Sequence, residues 1–103
     1  MVQKDYLEKE NEAKIKAQIK HIIRRLREER ERQGISQMDL SFKAGLSQNQ
    51  VNYIETGKRT PNLYSFLSIC NALKISPAVL FEPEDTERRE ARETIIKLVS
   101  RFM

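Results

Sequence analysis

Gln48, Asn49 and Asn52, three of the four amide side chains in residues 48–53, share one short stretch of the sequence with the phenol of Tyr53. An amide donates and accepts in one plane, which matches the paired N6 and N7 groups on the edge of adenine. A tyrosine adds a hydroxyl, or an apolar contact to a thymine methyl. Lys58, Arg59 and Thr60 follow at once and offer cations and a hydroxyl to phosphate. The bland alternatives are a solvated helix face and an ordinary polar loop, so the elements that carry these residues decide between them.

Other chemistries lack their minimum parts. His21 is the only histidine and sits among charges, where a solvated role is the ordinary one; Cys70 lies inside the apolar segment 67–73 without an activating partner. No glycine-rich phosphate loop and no clustered metal ligands occur, so an enzyme is excluded and neither cofactor nor metal is expected. One cysteine cannot form an internal disulfide, which fits a reducing compartment. No uncharged apolar run approaches the ~20 residues of a membrane span, and a cytoplasmic, nucleoid-associated protein is expected. With 19 Lys and Arg against 15 Asp and Glu the formal net charge is +4. That is compatible with a polyanionic partner without demanding one. A chain of 103 residues has room for one compact domain and short extensions, but not for a second, ligand-sensing domain.

The punctuation is helical throughout. Gly34, Gly45 and Gly57 each follow an amphipathic stretch, and Pro61, Pro77 and Pro83 each stand where a helix can begin. Ser36 with Asp39, and Ser47 with Gln50, have N-cap spacing, while Thr60-Pro61 and Ser76-Pro77 pair a capping hydroxyl with a first-turn proline. These signals predict helices over 8–33, 37–44, 48–56, 61–73, 77–81 and 84–102. Ile15, Ile19, Ile22 and Leu26 give the first helix its inward face, and Leu63, Phe66, Leu67, Cys70 and Leu73 the fourth. Leu40, Ala44, Leu46, Val51 and Ile54 close the space between the second and third, with Ile35, Ile75, Val79 and Leu80 at the joints.

Residues 37–56 therefore read as two short helices joined by a tight turn at Gly45, with small Ser41 letting the helices approach. The stretches Gly34-Ile-Ser-Gln-Met-Asp-Leu, Ala44-Gly-Leu-Ser-Gln and Ile54-Glu-Thr-Gly-Lys-Arg-Thr-Pro resemble the lambdoid phage repressor and Cro family, also called the xenobiotic-response-element family. The likeness runs from Ile22 to Phe81, with Ser41 where that family usually has alanine. It implies an all-α, five-helix, repressor-like helix-turn-helix DNA-binding domain, to which the helical patterns outside the likeness add an extended first helix and a C-terminal helix. It also implies that Gln48, Asn49, Asn52 and Tyr53 read base edges, and that Gln37, Ser47, Thr56, Lys58 and Arg59 contact phosphate. By the same resemblance Arg30 and Glu55 form a structural salt bridge. An interaction-only helical module is the rival reading, but loss of DNA contact usually leaves acidic or bulky apolar residues on the reading face, and Gln48, Asn49 and Asn52 are neither.

The chain divides into a charged helical extension over 1–18, the helix-turn-helix domain over 19–82 and an amphipathic helix over 83–103. In the last, Ala91, Ile95, Leu98 and Phe102 recur 4, 3, 4 apart with Val99 beside them. This face either folds back on its own domain, against Ile15 and Ile19, or meets its mate in a homodimer through Ile95, Leu98, Val99 and Phe102. The dimer is favoured, because one reading helix covers too few base pairs, whereas a two-fold pair spans a palindromic operator. The expected protein is a dimeric transcriptional repressor of double-stranded DNA without a small-molecule ligand. Phage, mobile-element, restriction-controller and antitoxin contexts fit these residues alike.

Overall fold

No glycine or proline interrupts the first 33 residues, and the result is one unbroken helix, α1, over Val2–Arg32. It starts earlier than the expected residue 8 because nothing breaks the chain there and Asp5 lies in the first turn, where the helix dipole favours an acid. The computed structural model describes residues 2–82, with side chains from residue 5 onward. Residues 5–18 of α1 are all exposed, supported by the pairs Glu10–Lys14 at 3.5 Å and Glu12–Lys16 at 2.7 Å. Both have the favourable order, acid one turn before base.

Four short helices follow: α2 (Gln37–Ala44), α3 (Gln48–Glu55), α4 (Leu63–Ala72) and α5 (Pro77–Phe81). Every regular element among the described residues is helical, as the punctuation required. Helix α4 begins two residues later than Thr60-Pro61 suggested. Asn62 is its N-cap, accepting from the Ser65 amide at 2.7 Å, and Pro61 stays outside. Ser76 stands at the N-cap of α5 but makes no side-chain cap bond; Pro77 supplies the preset φ of the first turn instead. At the end of α4 the left-handed residue is Lys74, φ 57°, with its amide on Asn71 O at 3.1 Å and the Ile75 amide on Cys70 O at 3.1 Å.

The core consists of Ile23 and Leu26 from α1, Leu40 from α2, Val51 and Ile54 from α3, Phe66, Ile69, Cys70 and Leu73 around α4, and Leu80 from α5. Helix α4 is rotated relative to the face read from sequence. Leu63 and Leu67 are 72% and 44% exposed, and Ile69 is fully buried in their place. The inward positions are thus 66, 69, 70 and 73, spaced 3, 1 and 3 apart. Ile15 is likewise exposed, so the buried face of α1 begins at Ile19. His21 is half-buried rather than solvated, with Nε2 3.5 Å from the Glu82 carbonyl oxygen. Burial raises the Cys70 thiol pKa, which removes it further from a reactive thiolate.

Polar side chains also tie α1 to the rest. Gln33 Nε2 donates to Leu73 O at 2.8 Å, and Arg25 Nη2 donates to Val79 O at 3.3 Å. The predicted helix over 84–102 lies outside the described residues.

Candidate nucleic-acid interface

Local chemistry fixes the α2–turn–α3 unit before any packing. Ser36 Oγ accepts from the Asp39 amide at 3.0 Å and starts α2. Gly45 ends it at φ 69°, donating to Phe42 O at 3.3 Å while the Leu46 amide reaches Ser41 O at 2.9 Å. A Cβ at Gly45 would meet nothing within 4 Å, so the demand for glycine comes from backbone conformation alone. Ser47 then starts α3 with a reciprocal box: Ser47 Oγ accepts from the Gln50 amide at 3.1 Å, and Gln50 Oε1 accepts from the Ser47 amide at 2.8 Å. Gln50 is thereby held at the cap by its Oε1, although its side chain is exposed.

Val51, Ile54 and Glu55 turn α3 inward. That orientation exposes Gln48 and Asn49, at the N-terminal end of α3, and leaves Asn52 and Tyr53 half-buried. The loop after α3 doubles back, with the Arg59 amide on Tyr53 O at 3.1 Å. Both Lys58 Nζ and the Arg59 guanidinium lie 5.4 Å from the centre of the Tyr53 ring. The phenol and the two cations therefore form one unit in which the ring supports the charges. Lys58, Arg59 and Thr60 are exposed. Arg59 and Thr60 share a groove with Lys16, Lys20 and Arg27 of α1, in which Lys16 pairs with Glu12 and Arg27 with Glu31.

The expected phosphate-contact residues have distinct situations. Ser47 uses its oxygen as an acceptor within α3 and retains its hydroxyl hydrogen to donate. Thr56 Oγ1 donates back to Asn52 O at 2.8 Å, which leaves it as an acceptor. Gln37 is not turned into solvent: its Nε2 donates to Glu55 Oε1 at 3.0 Å, and its Oε1 accepts from Asn52 Nδ2 at 3.3 Å. Residues 15 and 18 apart meet here only because the turn folds α3 against α2.

Beneath them lies the ion pair. Arg30 Nε donates to Glu55 Oε2 at 2.6 Å, Arg30 Nη2 to Glu55 Oε1 at 2.9 Å, and Arg30 Nη1 to Ile35 O at 2.7 Å. The side chains are 10% and 1% exposed. The hydrogen bond to Glu55 raises the Arg30 pKa despite the cost of desolvation, so the guanidinium remains charged. No buried side-chain nitrogen or oxygen among the described residues lacks a partner.

Among the described residues no group of three or more His, Cys, Asp or Glu could hold a metal ion, and no helix is long and apolar enough to cross a membrane. The residues expected to dimerise, Ile95, Leu98, Val99 and Phe102, lie outside the described residues.

Comparison with known proteins places this geometry. Residues 26–80 match the helix-turn-helix family profile. An uncharacterized HTH-type transcriptional regulator of Sinorhizobium fredii is 40% identical over 55 residues, 53% of this chain; the chain spans only 28% of that relative's length. The restriction-modification controller protein C.AhdI of Aeromonas hydrophila superposes with a TM-score of 0.60 at 38% identity, over 63% of this chain and 98% of the controller. The clp gene regulator ClgR of Corynebacterium glutamicum shares the fold, with a TM-score of 0.58 at 19% identity over 82% of this chain and 88% of ClgR.

Proposed function

The chain belongs to the helix-turn-helix family, and from that premise we propose that it binds double-stranded DNA sequence-specifically as a small homodimeric transcriptional repressor acting in the cytoplasm, on the nucleoid. The observation that carries the reading is the outward pair Gln48 and Asn49 at the N-terminal end of a capped α3, flanked by Lys58 and Arg59. Amides provide the donor and acceptor needed at base edges, and the cations provide the salt-dependent grip on phosphate. Asn52 and Tyr53 widen the reading surface, while Gln37, Ser47 and Thr56 add phosphate contacts around it. The chain is a binding protein and not an enzyme, since family members act by occupying DNA.

In this reading residues 19–82 are the DNA-binding domain, 1–18 a helical extension and 83–103 the dimerisation element. One short helix reads too few base pairs to find a site in a genome. Two of them related by a two-fold axis and set about 34 to 36 Å apart read a palindrome across one helical turn. The likeness to a controller that this chain covers almost end to end supports a compact regulator, which represses by excluding other proteins from its site.

Selection of bound sequences from random duplexes tests the proposal. A palindromic site with a fixed half-site spacing is expected. Gln48→Ala should cost about 1 to 3 kcal/mol on that site and relax selection at one base position. A loss of equal size on the selected site and on random DNA would show that α3 does not read sequence.

A further inference from the structure

The polar chain running from the core to the reading face has a fixed direction. A carboxylate only accepts, and Glu55 Oε1 receives both Arg30 Nη2 at 2.9 Å and Gln37 Nε2 at 3.0 Å. Gln37 must therefore turn its nitrogen inward, which leaves its oxygen facing Asn52 Nδ2 at 3.3 Å. An acceptor at that place compels Asn52 to donate. Flipping either amide would set two donors or two acceptors face to face in a half-buried site, and each such mismatch forfeits a hydrogen bond. The buried ion pair, with side chains 10% and 1% exposed, thus dictates the orientation of an amide two steps away.

We propose that Glu55, acting through Gln37, is a positioning residue that presents Asn52 to DNA by its Oδ1. The base facing Asn52 is then selected for an exocyclic amine in the major groove: adenine N6 or cytosine N4, against guanine O6 and thymine O4. The inference rests on the DNA-binding reading above and adds the polarity of one contact to it. Asn52 keeps a second N–H, which can reach N7 beside N6 and so favours adenine over cytosine. Gln37 likewise keeps one N–H, available to a phosphate while the other holds Glu55.

The test uses the full chain in random-duplex selection, comparing the unaltered protein with Gln37→Met, Asn52→Ala and Asn52→Asp. Gln37→Met leaves the Arg30–Glu55 pair in place, and thermal melting reports whether each variant is folded. The unaltered protein should favour adenine or cytosine by at least about fivefold at the position that Asn52→Ala relaxes, the scale of one good base contact. In Gln37→Met that preference should fall below about twofold, because the Asn52 amide is free to turn. Positions read by Gln48 and Asn49 should keep theirs, whereas a merely structural weakening would lower all positions together. Asn52→Asp, which can only accept, should retain the preference for an amine and favour cytosine. Retention of the full preference in Gln37→Met, a guanine or thymine preference in the unaltered protein, or a change to guanine in Asn52→Asp would overturn the proposal with DNA binding intact. Absence of any selected position in the unaltered protein would instead refute the DNA-reading function, and this inference with it.

Discussion

Replacing Glu55 by alanine is the most severe test of how the helix-turn-helix is held. The substitution strands Arg30, whose side chain is 10% exposed and whose Nε and Nη2 both lose their acceptor. Of its hydrogen bonds only that from Nη1 to Ile35 O remains, with the exposed carboxylate of Glu31, 3.9 Å from Nη2, as a looser counter-charge. Gln37 loses the partner of its Nε2 as well. Breaking a buried pair from one side costs about 3 to 5 kcal/mol, most of it the penalty of an unpaired buried charge rather than the net value of the pair. For a domain of this size that corresponds to a fall in Tm of roughly 12 to 40 °C. Calorimetry or circular dichroism melts of Glu55→Ala should show it, while Glu12→Ala, which removes only an exposed partner of Lys16, should leave melting unchanged. Arg30→Met combined with Glu55→Met should cost clearly less than the sum of the two single substitutions, because no charge is then left buried. A Glu55→Ala loss under about 1 kcal/mol, the range of an exposed pair, would refute the argument.

Three further outcomes are expected. Lys58→Ala and Arg59→Ala should weaken binding to every duplex and flatten the dependence of log Kd on log salt by about one unit for each phosphate no longer neutralised; an unchanged slope in both would remove the loop from the interface. Leu98→Glu together with Phe102→Glu should turn the proposed dimer into a monomer with much weaker operator binding, and sedimentation as a dimer with unchanged affinity would place the subunit contact elsewhere. The hydrogen bond from Arg32, with a smaller one from Gln33, holds the Glu29 carboxyl below its usual pKa. A depressed carboxyl pKa gives stability that is present above the unfolded value, about 4.3, and lost as pH falls through the folded one. Urea titrations of Glu29→Gln should therefore depend less on pH below about 4.3 than those of the unaltered chain, and coincident profiles would show that the bond contributes nothing.

The parts of the fold written in short-range chemistry were legible in the sequence. Ser36, Ser47 and Gly45 each act within four residues of their own position, and α2 and α3 lie where those residues require. Less was legible where two local signals compete. Thr60-Pro61 and Asn62 both offer a helix start, and the choice of Asn62 accompanies the burial of Phe66, Ile69, Cys70 and Leu73. Leu63 and Leu67 are leucines at helical spacing, which predicts an inward place, yet the packing surfaces take Ile69 and leave both exposed. Polar partners across the turn were the least legible. The types of Gln37 and Asn52 showed that both could bind DNA, but nothing in their spacing showed that each would hold the other. Half-burial of a polar side chain depends on which helices meet, and that is settled only after the chain has folded.

The left-handed turn at Lys74 has a consequence for tolerance to change. Three other turns use glycine at φ between 69° and 79°, whereas here a residue with a Cβ takes φ 57°. A side chain in that conformation costs roughly 1 kcal/mol relative to glycine. The α4–α5 corner is thus a place where the chain forgoes stability that a single substitution to glycine or asparagine would recover. It is also where a β-branched residue would be least tolerated, because crowding at Cβ adds to the same strain. Sequence drift at position 74 is consequently asymmetric, with improvement available in one direction and steep loss in the other, although the residue lies on the surface and outside the proposed reading face.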